Sequence, residues 1–295
     1  MIHKTESILR EIHAVEAALS AHAQQQKKES TSPQTHQPSS LQSRISVEQE
    51  IARMREIRQR SYSELIAQKI IHPDMIDKRV YNSFRHLRTT LFQKAGMHNF
   101  ILMVSAVSSN GGASFVARNL AVAIAFDRAK TALLVDCNLT RRTVDNLICT
   151  DGDLVGLTDY LCGIEPKIEE IIYPTGIPRL RAVPSGSKQK SVTEYFTSSK
   201  LRILLQDIRQ RYPERCIVLD APPMDEPDAR ILSDLCDHVL LVVPYGRATK
   251  MQLMSAISHI EPEKLIGTVI NNVPVVRTKV DPNVANFAHH AEKQN

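Results

Sequence analysis

From residue 99 onwards, short apolar runs alternate with stretches whose apolar positions recur at helical spacing. The apolar runs predict strands at 100–104, 132–135, 180–183, 217–219, 239–243 and 265–270. The stretches between them predict helices near 114–129, 157–162, 199–211, 227–236 and 249–260. Strands that are apolar on both faces and alternate with helices are typical of a parallel sheet covered on both sides. We therefore predict an α/β fold with a mostly parallel sheet.

The chain ahead of residue 76 has a different pattern, which predicts an α-helical N-terminal extension. Apolar residues at helical spacing form one seam, at Ile8, Ile12, Val15 and Leu19. This short seam is equally consistent with a helix that binds a partner or pairs with itself and with a helix that docks loosely. A polar stretch rich in Gln, Ser, Thr and Pro follows and is predicted as a flexible linker. Ser46 and Gln49 then fit a capping box, which predicts a second helical segment.

These patterns divide the chain into five predicted parts. They are an N-terminal helix at 1–23, a linker at 24–45, a helical segment at 46–75, an α/β domain at 76–276 and a polar tail at 277–295. No apolar run reaches the ~18–20 residues that a membrane span needs, and no apolar signal core follows Met1. We therefore expect a cytoplasmic protein, or one held at the inner face of the membrane through a partner.

Charge and cysteine content exclude some classes of function. The net charge is +5, from 37 Lys and Arg against 32 Asp and Glu. The basic residues are spread along the chain and aromatic residues are only 5%, so a nucleic acid partner is not expected. The five cysteines show no C-x-x-C spacing, which argues against a zinc site and a disulfide framework. Reduced and mostly buried thiols are expected instead.

The first predicted strand runs into a loop of small residues, from Ser105 to Ser114, and a helix follows. This is the setting of a phosphate-binding loop, in which backbone N–H groups and the helix N-terminus hold phosphate. The strict pattern is G-x-x-x-x-G-K-[ST]. In the register that makes Gly112 its second glycine, Val107 replaces the first glycine and Ala113 replaces the lysine. By composition alone, a small-residue turn without a ligand is the favoured interpretation.

Two later strands end in aspartate, at Asp136 and Asp220. A carboxylate in this position can hold magnesium or its water shell. A single strand-end aspartate also occurs as a helix cap, but two of them behind such a loop are more specific. The sequence therefore predicts Ser114, Asp136 and Asp220 as magnesium ligands if a nucleotide binds. The candidate phosphate contacts are Asn110, Gly111, Gly112, Ala113, Ser114 and Phe115.

Between about residues 75 and 275, the sequence resembles the bacterial tyrosine kinases of capsule and exopolysaccharide synthesis. These are P-loop proteins related to the MinD/ParA ATPases. The matching blocks, in chain order, are 84–89, 105–121, 134–142, 156–163, 183–186, 219–223 and 267–273. The resemblance implies an ATP–magnesium site with an adenine contact from Asn271, and an oligomerisation helix with Arg85 and Arg88 at its interface. It also implies a membrane partner, the protein that controls polysaccharide chain length.

The departures from the family pattern fall on its chemistry. Ala113 stands where the family's lysine reaches the phosphates. Asn138 replaces the second acid of a D-x-D segment, which acts as the base in the family. Asn82 replaces the glutamate of the oligomerisation helix, and the last tyrosine is Tyr245, so the family's C-terminal tyrosine cluster is missing. These changes predict a catalytically silent relative that binds ATP or ADP with magnesium weakly or not at all.

Three functions remain open at this point. The first is a non-catalytic docking or regulatory module for a membrane chain-length-control protein. The second is a divergent ATPase or autokinase whose lysine comes from elsewhere, with Lys94 expected nearer than Lys130. The third, a ParA-like positioning ATPase, ranks last because the sequence offers no focused basic patch. Arg141 and Arg142 fit a phosphate or partner contact and a solvated helix start equally well.

Overall fold

The computed structural model describes residues 58–96, 98–139, 141–149, 154–164, 167–187 and 193–274. The predictions for 1–23, 24–45, 277–295 and the first part of the helical segment, 46–57, lie outside these residues. The described strands are β1 (Ile101–Ala106), β2 (Thr131–Asp136), β3 (Tyr173–Pro174), β4 (Leu180–Val183), β5 (Arg215–Asp220), β6 (His238–Pro244) and β7 (Leu265–Asn271). The described α-helices are α1 (Tyr62–Ala67), α2 (Lys78–Ala95), α3 (Ala113–Ala125), α4 (Leu157–Cys162), α5 (Thr193–Phe196), α6 (Ser199–Arg211), α7 (Pro227–Asp234) and α8 (Lys250–Ser258).

The strands form one sheet in the order β3-β4-β2-β5-β1-β6-β7. All neighbouring strands are parallel except β3 and β4. The predicted α/β fold with a mostly parallel sheet is therefore confirmed. Every residue of β1, β2 and β5 is buried, as expected for central strands that helices cover on both faces.

Each face of the sheet carries its own hydrophobic core. One core lies against α6, α7 and α8, and the other against α1, α2 and α3. The helix that follows β1 is the most deeply placed, since ten of the thirteen residues of α3 are buried. Its sequence of Ala, Val, Ile and Leu allows this burial, because small side chains let the helix approach the sheet closely. The first residue of α3 is thereby held in a fixed position at the edge of the sheet.

Residues 58–73, which precede the predicted domain boundary at residue 76, pack on the second core. Ile70 and Ile71 are almost fully buried. The amide of Asn119, inside α3, bonds this segment twice. Its Oδ1 accepts from the N–H of Ile71 at 2.8 Å, and its Nδ2 donates to the carbonyl of Lys69 at 3.1 Å. The packing of residues 58–73 is therefore continuous with that of the α/β domain.

A second attachment of this segment is made by Arg60. Its guanidinium donates to the carbonyl of Thr175 at 2.7 Å and to the carbonyl of Asn146 at 2.9 Å. The backbone N–H of Arg60 donates to the carbonyl of Gly176 at 3.1 Å. Among the described helices, none combines the length and the apolar character needed to cross a membrane.

Candidate functional site at the carboxyl edge of the sheet

The loop between β1 and α3 is shaped by residues that tolerate unusual backbone angles. Asn110 and Gly112 both have left-handed φ, at 61° and 91°. Gly112 is the N-cap of α3. A Cβ on Gly111 would lie 2.6 Å from the Cβ of Ala106, so the loop closes too tightly for a side chain there. The predicted strand, tight loop and helix of a phosphate-binding turn are thus present in the fold.

Asn271, at the end of β7, braces this loop. Its Nδ2 donates to the carbonyl of Gly111 at 3.1 Å. A Cβ on Gly112 would stand only 2.0 Å from the same Nδ2, so Asn271 fills the space that glycine leaves open. The structure therefore places the side chain of Asn271 against the loop backbone. The adenine contact that the resemblance implies for Asn271 stays a prediction.

A cavity of about 270 Å³ opens beside the loop. Its lining includes five of the predicted phosphate contacts, namely Asn110, Gly111, Gly112, Ala113 and Ser114. Phe115 instead turns its ring toward Phe84 of α2, at a centroid distance of 5.8 Å. Ser108, Asn138, Arg141 and Thr143 also line the cavity. The cavity is therefore bounded by the loop after β1 on one side and by the chain that follows β2 on the other.

The two predicted metal-binding aspartates lie side by side. Asp136 and Asp220 are paired residues of the neighbouring strands β2 and β5, and both are fully buried. Asp136 accepts from the backbone N–H groups of Asn138 and Val144, each at 3.1 Å. The hydroxyl of Thr143 donates to Oδ2 of Asp220 at 2.5 Å. The other oxygen of Asp220, Oδ1, is buried without a hydrogen bond of good geometry to any described residue.

Burial raises the pKa of both carboxyl groups well above the ordinary aspartate value. The negative charge of Asp220 raises the pKa of Asp136 further, against two backbone N–H groups that favour its ionised form. The pKa of Asp220 is held back by the hydroxyls of Thr143 and Ser114 and by the positive charge of Arg118. A divalent cation at this position would neutralise the pair and offer a partner to the buried Oδ1 of Asp220. The donor set of carboxylates and a hydroxyl therefore fits magnesium.

Neither lysine that the sequence offered as a replacement lies near the loop. Lys94 donates to the carbonyl of Ile266 at 3.0 Å, at the start of β7. Lys130 immediately precedes β2, with its Nζ 5.6 Å from the centre of the Phe92 ring. Both positions are at the amino edge of the parallel strands, whereas the loop is at the carboxyl edge. The expectation that Lys94 stands nearer to the loop than Lys130 has no support in this arrangement.

The positive charge near the loop comes from arginines. Arg141 donates to Oδ1 of Asn110 at 2.8 Å, and Arg247 donates to the carbonyl of Asn110 at 3.0 Å. Arg118 lies one turn after Ser114 in α3, and its Nε donates to the Ser114 carbonyl at 3.2 Å. Sequence reasoning missed Arg118 and Arg247, because neither belongs to a phosphate-binding pattern. Only the fold brings the loop after β6 against the loop after β1.

The two arginines expected at an oligomer interface differ in their surroundings. Arg88 turns inward, and its guanidinium donates to the carbonyl of Ala123 in α3 at 3.0 Å. Arg85 is exposed, and its guanidinium carbon lies 5.7 Å from the centre of the Tyr81 ring. Arg85 is therefore available to another molecule, whereas Arg88 already joins α2 to α3.

Comparison with known proteins places this geometry in context. No family model matches the chain. Tyrosine-protein kinase CpsD of Streptococcus agalactiae serotype III is 29% identical over 199 residues, which cover 66% of this chain and 84% of that protein. Tyrosine-protein kinase wzc of Salmonella typhi is 28% identical over 195 residues, which cover 65% of this chain but 26% of that protein.

Two solved kinase domains show the same fold. The kinase domain of Escherichia coli tyrosine kinase ETK superposes with a TM-score of 0.60 at 24% identity, over 76% of this chain and 87% of that chain. The BceF tyrosine kinase domain superposes with a TM-score of 0.60 at 23% identity, over 74% of this chain and 93% of that chain. The fold and the loop together define an α/β protein of the P-loop class. Within this class, the chain is similar in sequence to bacterial tyrosine-protein kinases over about two thirds of its length.

Proposed function

We propose that this chain is a non-catalytic, kinase-like component of capsule or exopolysaccharide synthesis. In this proposal it docks on the cytoplasmic end of a membrane protein that controls polysaccharide chain length, and it stays at the inner face of the membrane through that partner. The observation that carries the proposal is that Ala113, at the position of the family's lysine, lines the cavity. Lys94 and Lys130 are both held at the opposite edge of the sheet.

The energetic effect of the missing lysine falls mainly on transfer rather than on binding. A charged hydrogen bond to phosphate contributes ~1.5–3 kcal/mol to binding, so its loss lowers affinity about 10- to 100-fold. The loss in the transition state is larger, because phosphoryl transfer depends mostly on electrostatic stabilisation of developing charge. A chain without this lysine therefore loses more of its transfer rate than of its affinity for the nucleotide.

The residue at the position of the family's catalytic base, Asn138, supports the same conclusion. Asn138 lines the cavity, and its backbone N–H is bonded to Asp136. The amide side chain of Asn138 cannot accept a proton from an attacking hydroxyl as a carboxylate does. Restoring the lysine alone would then restore binding without transfer.

A second candidate function, nucleotide binding without transfer, is favoured by what the site retains. Ser114, Asp136 and Asp220 keep the oxygen donors that magnesium prefers. Gly111 and Gly112 keep the tight backbone turn. When bound, magnesium would neutralise phosphate charge, and these three side chains would hold the ion. In this form the nucleotide acts as a structural ligand or as a switch for docking.

The test compares the natural chain with Ala113→Lys and with the double variant Ala113→Lys/Asn138→Asp. We expect no phosphate release and no autophosphorylation above background from the natural chain with ATP and magnesium. Ala113→Lys should bind a fluorescent ATP analogue about 10- to 100-fold more tightly, and only the double variant should gain turnover. Co-purification with the membrane partner should survive Asp220→Ala, checked for folding by circular dichroism. Turnover by the natural chain that Asp220→Ala removes would contradict the proposal.

A further inference from the structure

Three loops of the described chain meet at one residue of the phosphate loop. Arg141 comes from the chain after β2 and bonds the side chain of Asn110, while Arg247 comes from the chain after β6 and bonds its backbone carbonyl. Asn110 has a left-handed φ of 61°, and its side chain and its carbonyl contact two different neighbours. Two guanidinium groups therefore fix the conformation of the loop from outside it.

Arg141 differs from Arg247 because it also lines the cavity of about 270 Å³. It is the only cationic side chain among the described residues that line this cavity. A guanidinium has five N–H donors, and the bond to Asn110 uses one of them. The remaining fork has the planar geometry that binds two phosphate oxygens at once.

The other cavity groups match the same ligand chemistry. Ser108, Ser114 and Thr143 also line the cavity, and the N-terminus of the thirteen-residue helix α3 opens into it. Beneath them, Oδ1 of Asp220 is fully buried and still needs a cationic or hydrogen-bonding partner. A phosphate group with a bound divalent cation would match both: its oxygens would accept from Arg141 and the helix N-terminus, and its cation would be a partner for Oδ1 of Asp220.

We infer that the cavity binds a diphosphate or triphosphate group through Arg141, which takes over ground-state binding from the missing P-loop lysine. Arg247 is a positioning residue that keeps Asn110, and through it Arg141, in place. This inference rests on the proposed function, since it describes how a phosphate loop that no longer transfers a phosphoryl group keeps its ligand. The positive charge that contacts the phosphate then belongs to the guanidinium of Arg141, in the chain after β2, rather than to a lysine of the loop itself.

The test is calorimetric titration of the full chain with pyrophosphate, ADP and ATP, each with and without magnesium. Arg141→Ala should weaken binding about 10- to 100-fold, and Arg141→Lys should recover only part of the loss, because lysine lacks the planar fork. Arg247→Ala should weaken binding less, and Arg247→Lys should restore it. Arg209→Ala is the matched control, because Arg209 is bonded to Asp237 at the opposite edge of the sheet. This control should bind as the natural chain does.

The three ligands distinguish the possible sources of the phosphate group. Equal affinity for pyrophosphate and ADP supports recognition of the diphosphate alone, and tighter binding of ADP supports a nucleotide whose phosphates Arg141 holds. The inference is overturned if the natural chain binds none of the three at millimolar concentration. It is also overturned if Arg141→Ala changes nothing, or if Arg209→Ala weakens binding equally. Phosphate release from ATP would instead contradict the proposed function, and would leave the role of Arg141 to be decided by the titrations.

Discussion

Asp136 and Asp220 are the residues whose charge state matters most to the folded protein. Both carboxyl groups are buried and both have a raised pKa, so the folded chain holds protons that the unfolded chain releases. The stability linked to a raised aspartate pKa is fully present below the ordinary value of ~3.9 and is lost as the pH rises through the folded-state pKa. Without a bound cation, the free energy of unfolding should therefore fall from about pH 4 toward neutral and slightly alkaline pH.

Asp220→Asn should stabilise the protein at pH 8 and give no gain near pH 4, because the neutral amide removes the cost of burying a charge. The amide oxygen can still accept from the Thr143 hydroxyl as Oδ2 does now. Thermal melts without magnesium at the two pH values measure this, and each 1 kcal/mol shifts the Tm of a domain of this size by ~2–4 °C. Asp136→Asn is the control. Both of its oxygens accept backbone N–H groups, so a new amide donor would oppose one of them. An equal Tm change at both pH values for Asp220→Asn would contradict this account.

Among the secondary-structure elements, α2 and α3 are joined by a polar contact as well as by apolar packing. Arg88 of α2 donates to the carbonyl of Ala123, which lies two residues before the last residue of α3, Ala125. A cation near a helix C-terminus interacts favourably with the helix dipole. The exposed guanidinium of Arg85, one turn earlier in α2, lies over the Tyr81 ring, with its carbon 5.7 Å from the ring centre.

Arg88→Ala should lower the free energy of unfolding by about 1–2 kcal/mol, because a charged hydrogen bond to a helix carbonyl is lost. Arg85→Ala should change it by less than ~0.5 kcal/mol, as is usual for an exposed substitution. Urea titrations of both variants give the comparison. If Arg85 lies at an interface between subunits, light scattering will show a changed oligomeric state for Arg85→Ala with unchanged monomer stability. Equal destabilisation by the two variants would show that the bond from Arg88 adds nothing to the free energy of unfolding beyond what an exposed side chain contributes.

Elements with a strong apolar period could be predicted from the sequence, and contacts between loops could not. The strands β1, β2, β4, β5, β6 and β7 follow from their apolar runs, and α4 and α6 have the predicted bounds. β3 was missed because a two-residue edge strand that includes Pro174 carries no period. Helix α3 ends at Ala125 rather than near 129, since Asp127 and the residues after it turn toward β2.

The residues of the candidate site also fall into those that the sequence pattern could locate and those that depend on contacts between loops. Gly111, Gly112, Ser114, Asp136 and Asp220 could be located because each stands at the end of a predicted strand or the start of a helix. The role of Arg141 stayed open, because a charged residue in a loop gives no indication of where the loop turns. The bonds from Arg141 and Arg247 to Asn110 depend on the order of the strands in the sheet, which a single sequence does not specify.

For the whole molecule, Asn119 is the residue that unites parts far apart in the sequence. It is fully buried in α3, and it bonds Lys69 and Ile71 as well as the carbonyl of Phe115 in its own helix. A buried amide with all these bonds is favourable, and a buried amide partner left unsatisfied is costly. One buried side chain of the helix that begins at the phosphate loop therefore contributes two of the hydrogen bonds that attach residues 58–73 to the domain.

Asn119→Leu should lower the free energy of unfolding by about 2–4 kcal/mol, because the N–H of Ile71 and the carbonyl of Lys69 lose their partners inside the protein. Asn119→Asp keeps the acceptor for Ile71 but loses the amide donor to Lys69 and buries a charge, so it should also destabilise, and more strongly at pH 8 than at pH 5. Guanidinium unfolding at the two pH values measures both variants. A loss below ~0.5 kcal/mol for Asn119→Leu would show that apolar packing and the bonds of Arg60 hold residues 58–73 without Asn119.

The same attachment determines how a mechanical load would travel through the protein. A pull on the chain ahead of Arg58 is taken up first by the bonds from Arg60 to the carbonyls of Thr175 and Asn146. Any load that passes them reaches Asn119, which lies six residues, or about 9 Å, along the helix from Ala113. Tension on the N-terminal side of the domain therefore meets the edge of the sheet beside β3 first, and the helix that begins at the phosphate loop second.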